Sequence, residues 1–300
     1  MPKADQYLFQ PEDVHRMRGS QSKNAKGVGM NHPGGVSVHY YLKDYDVAKD
    51  SVVLTFKDSK GVIMRSFSNK ATEKSDSLAV SAGANSFNWN MQMPDAKKFK
   101  GMVFWWGSLA GPKAVPGEYT VDLSVNGEVQ TKDFEIIKDP RVEYSQQDLE
   151  LQHAFITSVN SKVTEAHESI IEMRSLKKQM KGFAKDHENE KIQAEVERID
   201  SSLTSIEKNL YQTQNKSRQD PLNFPIRLTN KLAHLNSLVQ MSDGPPTASM
   251  IEVKKELSTA IDKELNAYRV IKREEVKKLN DLIRNEITDF IKLDEVKSKP

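Results

Sequence analysis

The residues that could carry catalysis or bind a metal are the histidines and the carboxylates. No two histidines stand four residues apart, the spacing at which one helix face binds zinc, and no His-Glu-x-x-His motif occurs. The chain has no cysteine, so thiolate nucleophiles, disulfides and cysteine-ligated zinc are excluded. We predict that the histidines are surface or strand residues rather than ligands. They are His15, His32, His39, His153, His167, His187 and His234.

The carboxylates give no clearer sign of chemistry. Glycoside hydrolysis needs two acids about 5 to 10 Å apart in a cleft. Asp44, Asp46, Asp95 and Glu118 are available, but no spacing sets any pair of them apart. A Gly-x-Ser-x-Gly elbow and a P-loop are both absent from the sequence. We therefore predict no catalytic residue, no metal and no cofactor, and we lean against an enzyme.

The aromatic segment between Phe99 and Pro112 has the most unusual local composition. Trp105 and Trp106 are adjacent there, and Phe104 precedes them. An exposed tryptophan could stack on a sugar ring or anchor a protein partner. We favour instead a buried plug at a domain junction, since buried apolar area contributes about 25 cal/mol per Å². The candidate ligand or interface residues are Trp105, Trp106, Phe104, Tyr40 and Tyr41.

Charge and hydropathy exclude two classes of function. The 44 basic and 42 acidic residues leave a formal net charge of +2, too little for the phosphate neutralisation that dominates nucleic-acid binding. No apolar run approaches the roughly 18 residues that a membrane helix needs. The first residues lack the apolar stretch of a signal peptide. We predict no nucleic-acid partner, no membrane span and, if Met1 is the native start, a cytoplasmic location.

Glycine and aromatic residues divide the chain in two. Twelve of the 14 glycines and all three tryptophans come before residue 140. Pro140 marks the break, because proline fixes its own φ and restricts the residue before it. We predict an N-terminal extension at 1–34, a β domain at 35–140 with an aromatic insertion at 93–114, and a helical domain at 141–300.

Alternating residues and glycine turns predict an antiparallel β-sandwich in the first of these domains. Two hairpins stand out. One has a glycine-containing turn at 58–61, and the other turns at Asn126-Gly127, a pair that favours the positive φ of hairpin turns. About seven short strands separated by such turns are typical of a sandwich. The expected strands are 35–42, 51–56, 62–67, 86–91, 118–125 and 128–137.

Apolar residues at steps of three, four and seven predict about four long helices after residue 140. Ser145 followed by Asp148 indicates the start of the first, and Asp220-Pro221 the start of the third. The segment 243–246 breaks the third before a fourth runs from Thr247 to Phe290. Because an apolar stripe must be buried, we predict an elongated antiparallel bundle. The same stripes could pair between chains, so self-association stays open.

The order of strands and turns resembles an immunoglobulin-like module of the flagellar hook-capping type. In that pattern a glycine-bearing hairpin is followed by Gly-x-Asn-x-x-x-Trp and then by Pro-Gly-x-Tyr-x-Val. The chain departs from the pattern by the insertion at 93–114. The residues that carry the resemblance are Val38–Leu42, Val52–Phe56, Asp58–Gly61, Ile63–Phe67, Gly83–Asn90 with Trp89, and Val115–Val121 with Pro116, Gly117 and Tyr119.

A more specific resemblance covers essentially the whole chain. The insertion, the loop 111–117, the hinge 138–141 and the segment 211–228 with Pro221 and Pro225 are similar to the C-terminal region of bacterial exported proteins. Those proteins carry a sortilin-like or sialidase-type (BNR) β-propeller and are often labelled glycosyl hydrolases. The resemblance implies a periplasmic or cell-surface context. It transfers no activity, because a sialidase-type site would lie in the propeller, and the propeller's Ser-x-Asp-x-Gly-x-x-Trp box is absent here.

Three functions from different classes follow. The leading hypothesis is a non-catalytic accessory region that docks or positions a β-propeller, or binds another protein partner. The alternative is a carbohydrate-binding module in which Trp105 and Trp106 stack on sugar. The third is an enzyme whose acids the sequence does not reveal.

Overall fold

A computed structural model describes residues 5–17, 19 and 34–287. Strands occupy the first half of this part of the chain and helices the second, which confirms the predicted order of a β region followed by an α region. The strands are β1 (Gln6–Leu8), β2 (Val14–His15), β3 (Val36–Leu42), β4 (Val52–Asp58), β5 (Ile63–Ser68), β6 (Gly83–Trp89), β7 (Gly117–Val125) and β8 (Glu128–Ile137). The helices are α1 (Gln146–Asp186), α2 (Glu190–Leu210), α3 (Leu228–Val239), α4 (Ala248–Val270) and α5 (Val276–Glu286).

The chain forms two compact units, each assembled from separate stretches. The first unit comprises Met1–Ala96, Leu109–Asn160 and Leu238–Thr247. The second comprises Lys97–Ser108, Ser161–Ser237 and Ala248–Pro300. Residues Lys97–Ser108 therefore belong to the second unit, with most of the helical residues, whereas 109–112 belong to the first. From here on, the aromatic segment means Lys97–Ser108. The domain limits at residues 34 and 140 stay predictions.

The first unit contains two β-sheets. One has three strands in the order β1–β3–β6, all antiparallel, and the other has five in the order β2–β8–β7–β4–β5. In the second sheet only β2 runs parallel to its neighbour. β1 and β2 both lie within 1–34, where the sequence analysis expected an extension outside the sandwich. Each pairs with a strand distant in sequence, so no local turn marks it.

The core of the first unit lies between the two sheets. Val38 and Trp89 from the first sheet and Leu54, Phe56 and Val121 from the second are all fully buried. The rings of Phe56 and Trp89 stack with their centroids 4.4 Å apart. Along β3 and β4, buried residues alternate with more exposed ones, because successive side chains of a strand point to opposite faces of the sheet.

Both predicted hairpins are confirmed. β7 and β8 pair across Asn126-Gly127, whose φ angles of +52° and +93° are the positive values that this turn requires. β4 and β5 pair across the turn after Asp58. The Asp58 carboxylate accepts hydrogen bonds from the backbone N–H groups of Lys60 and Val62 and so fixes that turn.

The first two helices begin as their caps dictate. Asp148 N–H donates to the Ser145 hydroxyl, and the Asp148 carboxylate accepts from Ser145 N–H, so α1 starts at Gln146, as predicted. At α2, the Asn189 side chain accepts hydrogen bonds from the N–H groups of Lys191 and Ile192. These caps satisfy backbone donors that would otherwise lack a partner.

The predicted start of the third helix at Asp220-Pro221 is wrong. Residues Asp220–Leu222 form a single 3-10 turn, and α3 begins at Leu228. The Asp220 carboxylate accepts from the N–H groups of Lys216 and Ser217, which precede it, instead of capping a following helix. Pro225 explains the interruption, because proline disfavours helical geometry in the residue before it and has no N–H to donate.

α4 and α5 form one continuous helix with a π-helical turn between them, at Ile271–Glu275. Phe290, the predicted end of this helix, lies outside the described residues. In the second unit, ion pairs join α1 to α2 at Arg174–Glu207 (2.7 Å) and at Lys181–Asp200 (2.9 Å). Among the helices described, none has the length and apolar character that crossing a membrane requires.

Candidate functional site

The aromatic segment Lys97–Ser108 has no regular secondary structure, so its backbone groups need partners elsewhere. Asn230 on α3 supplies two of them. Its Oδ1 accepts from Trp105 N–H at 2.8 Å, and its Nδ2 donates to the Trp105 carbonyl at 2.8 Å. Asn230 is itself buried. One side-chain amide therefore pairs both polar groups of the Trp105 backbone, as a neighbouring β-strand would.

The next residues are held by the following turns of the same helix. Ser108 N–H donates to the Ala233 carbonyl at 3.0 Å, and Asn236 Nδ2 donates to the Ser108 carbonyl at 3.1 Å. The Ser237 hydroxyl donates to the Trp106 carbonyl at 2.6 Å. We call residues 105–108 and these α3 groups the α3 clamp. It fixes the backbone of the aromatic segment on both sides of Trp106.

The backbone at Trp106 and Gly107 shows how closely this segment approaches α3. Trp106 has a φ of +56°, the left-handed region, which costs a residue with a Cβ roughly 1–2 kcal/mol. At Gly107, a Cβ would lie 2.9 Å from Asn230 Nδ2 and 3.2 Å from the Ala233 Cβ. A side chain at position 107 would push the segment off the helix. The clamp hydrogen bonds hold Trp106 in its unfavourable conformation.

The Trp106 side chain is 70% exposed, although its backbone is fixed. Trp105 is half-buried, and the two indole rings lie 6.4 Å apart at an angle of 58°. The expected buried plug is therefore wrong for Trp106. A fixed backbone under an exposed ring means that a ligand meets a surface that is already ordered, which lowers the entropic cost of binding.

The other aromatic residues of the segment anchor it to α1 and α2. Phe99 is buried and meets His167 and Tyr211 edge-on, at 5.1 Å and 4.9 Å between ring centroids. The Arg174 guanidinium lies 4.5 Å from the centre of the Phe99 ring, within cation–π range. Phe104, half-buried, packs at 5.5 Å from His167. Phe104 thus supports the segment and is not its exposed part.

His167 is fully buried against this segment. Its Nδ1 lies 2.6 Å from the Lys97 carbonyl, which can only accept, so Nδ1 carries the proton. Burial lowers the pKa of His167 to about 4, and the Arg174 charge acts in the same direction. Its Nε2 has no hydrogen-bond partner. His167 is therefore neutral at pH 7, and its ring serves as a packing surface for Phe99 and Phe104.

We expect His167 to make the second unit less stable in acid. A pKa near 4 in the folded chain, against about 6.5 when unfolded, means that the unfolded chain binds the extra proton first. The stabilisation is complete above pH 6.5 and is lost as the pH falls toward 4, on the order of 3 kcal/mol in all. Urea unfolding of the wild type and His167→Asn between pH 4 and 7 measures it. Asparagine cannot titrate, so an equal pH slope in both proteins would contradict the assignment.

The two candidate tyrosines differ in burial. Tyr40 is 1% exposed in the core of the first unit, where burial raises its pKa to about 12. It cannot present its ring to a ligand. Tyr41, the next residue on β3, is half-buried on the outer face of its sheet. Both belong to the first unit, whereas Trp105 and Trp106 belong to the second.

The residues singled out in the two sequence resemblances lie in turns and in the core of the first unit. Trp89 is fully buried and its indole N–H donates to the Gln92 carbonyl. Tyr119 packs in the same core, two residues after Gly117, and its hydroxyl donates to the Val115 carbonyl. In the second unit, Pro221 lies in the 3-10 turn, and the Pro225 carbonyl accepts a hydrogen bond from the Gln212 amide.

Carboxylates do gather at one open cleft of the first unit, with a volume of about 520 Å³. Glu118 and Glu135 are directly opposite each other on β7 and β8, and Asp13 accepts a hydrogen bond from Glu135 N–H. Glu118 was among the acids considered from sequence, but its neighbours were not. Within the described residues, no group of three or more histidine and acidic side chains is placed to hold a metal ion.

The sequence analysis missed the residues that hold the site. Asn230 and Asn236 are buried on α3 and were not considered. The prediction of a surface or strand position is wrong for His167, which is fully buried on α1. A signal existed, since two asparagines recur in a short apolar helix where a solvated helix would carry lysine or glutamate. Buried polar side chains require partners, so they mark a place where another part of the chain approaches.

Comparisons with known proteins add no name. No protein-family model matches the chain, and no curated protein sequence matches it. Among solved structures it is similar to pT26-6p at 10% sequence identity, over 83% of this chain and 46% of that one, with a TM-score of 0.12. The chain thus spans less than half the length of that protein, and a likeness this low carries no argument about fold or function.

Proposed function

We propose that this chain is a non-catalytic interaction region that binds a protein partner through Trp106. The observation that carries the proposal is an indole that is 70% exposed on a backbone fixed at a φ of +56°. An exposed ring on a backbone held in a costly conformation does not stabilise the folded chain, and this combination supports a role in binding. Tryptophan is among the residues that contribute most to protein interfaces, because one side chain buries a large apolar area.

The finer architecture belongs to the same proposal. We take the first unit as an immunoglobulin-like sandwich, which its core between two sheets supports. The Tyr119 hydroxyl bond to a carbonyl four residues upstream is the arrangement known as a tyrosine corner in such folds. We take the second unit as an antiparallel bundle. The α1–α2 ion pairs support this arrangement. Arg174 pairs with Glu207, and Lys181, further along α1, pairs with Asp200, which comes earlier on α2, so the two helices run in opposite directions.

The resemblance supplies the class of partner. The proteins that the sequence resembles carry a sortilin-like or sialidase-type β-propeller, so the partner we propose is such a propeller in a periplasmic or cell-surface protein. Catalysis would then belong to the propeller. The role of this chain would be to position it.

Trp106→Ala is expected to weaken binding to a sialidase-type propeller by at least about tenfold, because truncating an anchor tryptophan typically costs 2 kcal/mol or more. The measurement is isothermal titration of the purified propeller into the whole chain. The matched control is Leu222→Ala, since Leu222 is 69% exposed in the same unit but lies outside the α3 clamp.

Leu222→Ala should bind as the wild type does. Absence of measurable propeller binding by the wild type would contradict the proposed partner. Equal affinities for the wild type and Trp106→Ala would contradict the proposed anchor. Sedimentation of the chain alone tests self-association, and a dimer that Trp106→Ala dissociates would identify a second copy as the partner.

Carbohydrate binding at the same tryptophans is the second candidate. Two indole rings 6.4 Å apart could contact neighbouring sugar rings. Tryptophan fluorescence titrated with a glycan panel tests it, since a sugar stacked on Trp106 removes that ring from water. An unresponsive spectrum across the panel would exclude this candidate and leave the protein partner.

A further inference from the structure

A second surface, in the first unit, has a composition unlike the rest of the chain. It is the outer face of the three-stranded sheet, on the side opposite the core. The register places Tyr7 opposite Tyr41, and Tyr41 opposite Ala84, in one row across the three strands. The inward positions Leu8 and Tyr40 are buried, so these three residues point outward.

The next two rows complete this face. Phe9 follows β1 on the side of Tyr7, and its N–H donates to the His39 carbonyl. His39 pairs with Ser86, and Ser37 pairs with Asn88, whose side chains are joined by a hydrogen bond of 3.3 Å. We call this surface the β3 face. Its members are Tyr7, Phe9, Ser37, His39, Tyr41, Ala84, Ser86 and Asn88.

These eight positions carry no lysine, arginine, aspartate or glutamate, and the next row along β1 and β3 is the ion pair Lys43–Asp5, with 3.0 Å between Nζ and Oδ1. Tyr7 and Phe9 are 38% and 40% exposed, and their rings meet edge-on at 4.9 Å. Hydroxyl, amide and imidazole groups occupy the positions beside the rings. Exposed aromatic rings beside hydrogen-bonding side chains offer a ligand both apolar and polar contacts.

The dimensions of the β3 face favour a narrow ligand. β3 and β6 pair over seven residues, which at about 3.4 Å each span about 24 Å, and β1 widens this strip to three strands, about 10 Å, only at the Tyr7 end. That is far below the roughly 800 Å² that each partner contributes to a stable protein interface. A strip of this shape fits a single extended chain lying along the strands.

The chemistry favours a saccharide as that chain. One face of a pyranose ring presents C–H groups that stack on aromatic rings, and its edge presents hydroxyls that pair with serine, asparagine and histidine side chains. Lys43, in the row next to Tyr41, is paired with Asp5 at 3.0 Å, so an anionic ligand such as a nucleic acid would meet no unpaired cation among the described residues of this face, and phosphate contacts dominate nucleic-acid affinity. The lack of an unpaired charge therefore favours a neutral ligand.

We propose that the β3 face binds a neutral polysaccharide chain, with Tyr7, Phe9 and Tyr41 stacking on its sugar rings. Ser37, His39 and Asn88 bind its hydroxyl groups. This site lies in the first unit and does not depend on the proposed role of Trp106 in the second.

Affinity electrophoresis of the whole chain tests the proposal. Native gels contain one of four soluble neutral polysaccharides, namely hydroxyethylcellulose, xyloglucan, galactomannan or glycogen. We expect at least one of them to retard the wild type relative to serum albumin. Tyr7→Ala and Tyr41→Ala should each lower the association constant by about tenfold or more. Tyr41→Phe keeps the ring and should retain most of the binding.

The controls separate this site from the other proposal and from misfolding. Trp106→Ala should be retarded as the wild type is, and polygalacturonate, an acidic polysaccharide, should retard neither. Unchanged thermal unfolding of Tyr7→Ala shows that the fold is intact. Lack of retardation by all four neutral polysaccharides would overturn the proposal. So would retardation that both alanine variants retain, or loss of self-association in Tyr41→Ala, which would identify the face as a protein interface.

Discussion

Trp89→Ala is expected to lower the free energy of unfolding of the first unit by about 3–5 kcal/mol, the range for truncating a buried aromatic residue to alanine. Trp89 is fully buried at the end of β6 and stacks on Phe56 at 4.4 Å. It also approaches Tyr119 at 6.4 Å. Its removal leaves a cavity that rings from both sheets border, and rings fixed by strand backbones cannot collapse into it.

The measurement is urea denaturation together with hydrogen exchange of the β3 and β4 amides, which reports on the first unit by itself. Trp106→Ala is the matched control, because it makes the same chemical change at a 70% exposed position. It should alter stability by no more than about 0.5 kcal/mol. A loss below about 1 kcal/mol for Trp89→Ala would mean that the two sheets are not joined by this core.

Elements that depend on neighbouring residues could be predicted from the sequence. The Asn126-Gly127 turn sets its own backbone geometry, so the β7–β8 hairpin follows from two residues and the alternation around them. The start of α1 follows in the same way from Ser145 and Asp148. In both cases the partners of the decisive hydrogen bonds lie within three residues of each other.

The two N-terminal strands, which pair only with distant residues and have little alternation of their own, were not predicted. β1 pairs with β3 more than thirty residues later, and β2 pairs with β8 more than a hundred residues later. No turn chemistry connects either pair. The start of α3 was misplaced for another reason: Asp220-Pro221 is a good helix start, but Pro225 prevents the helix from continuing.

The candidate site, too, could be predicted only in part from the sequence. Adjacent tryptophans in a glycine-flanked segment drew attention to Trp105 and Trp106 by composition. Whether each indole is buried depends on α3, whose Asn230 is 125 residues away from Trp105. The β3 face was missed except for Tyr41, because Tyr7 and Phe9 join it only through pairing with a strand that the sequence placed in another region.

Asn230→Ala is expected to release the aromatic segment from α3 and to lower the stability of the second unit by about 2–3 kcal/mol. The substitution removes two hydrogen bonds of 2.8 Å and leaves the Trp105 N–H and carbonyl without their protein partners. The Ser237, Ala233 and Asn236 bonds of the clamp remain, but fewer bonds then offset the left-handed φ of Trp106, so its backbone should relax in part. Binding through Trp106 should then weaken although the indole is still present. Urea denaturation and propeller titration measure the two effects.

Two further variants distinguish the clamp from simple packing. Asn230→Asp keeps the side-chain volume and the acceptor for Trp105 N–H, but it replaces the donor by an oxygen that faces the Trp105 carbonyl. We expect it to destabilise the chain at pH 7, whereas a role in filling space alone predicts no change. Asn209→Ala removes an exposed asparagine that bonds to Glu264 in the same unit and should cost no more than about 0.5 kcal/mol. If Asn230→Ala proved as mild as Asn209→Ala, the backbone of Trp106 would not be held by α3, and its exposed indole would no longer be a preorganised anchor.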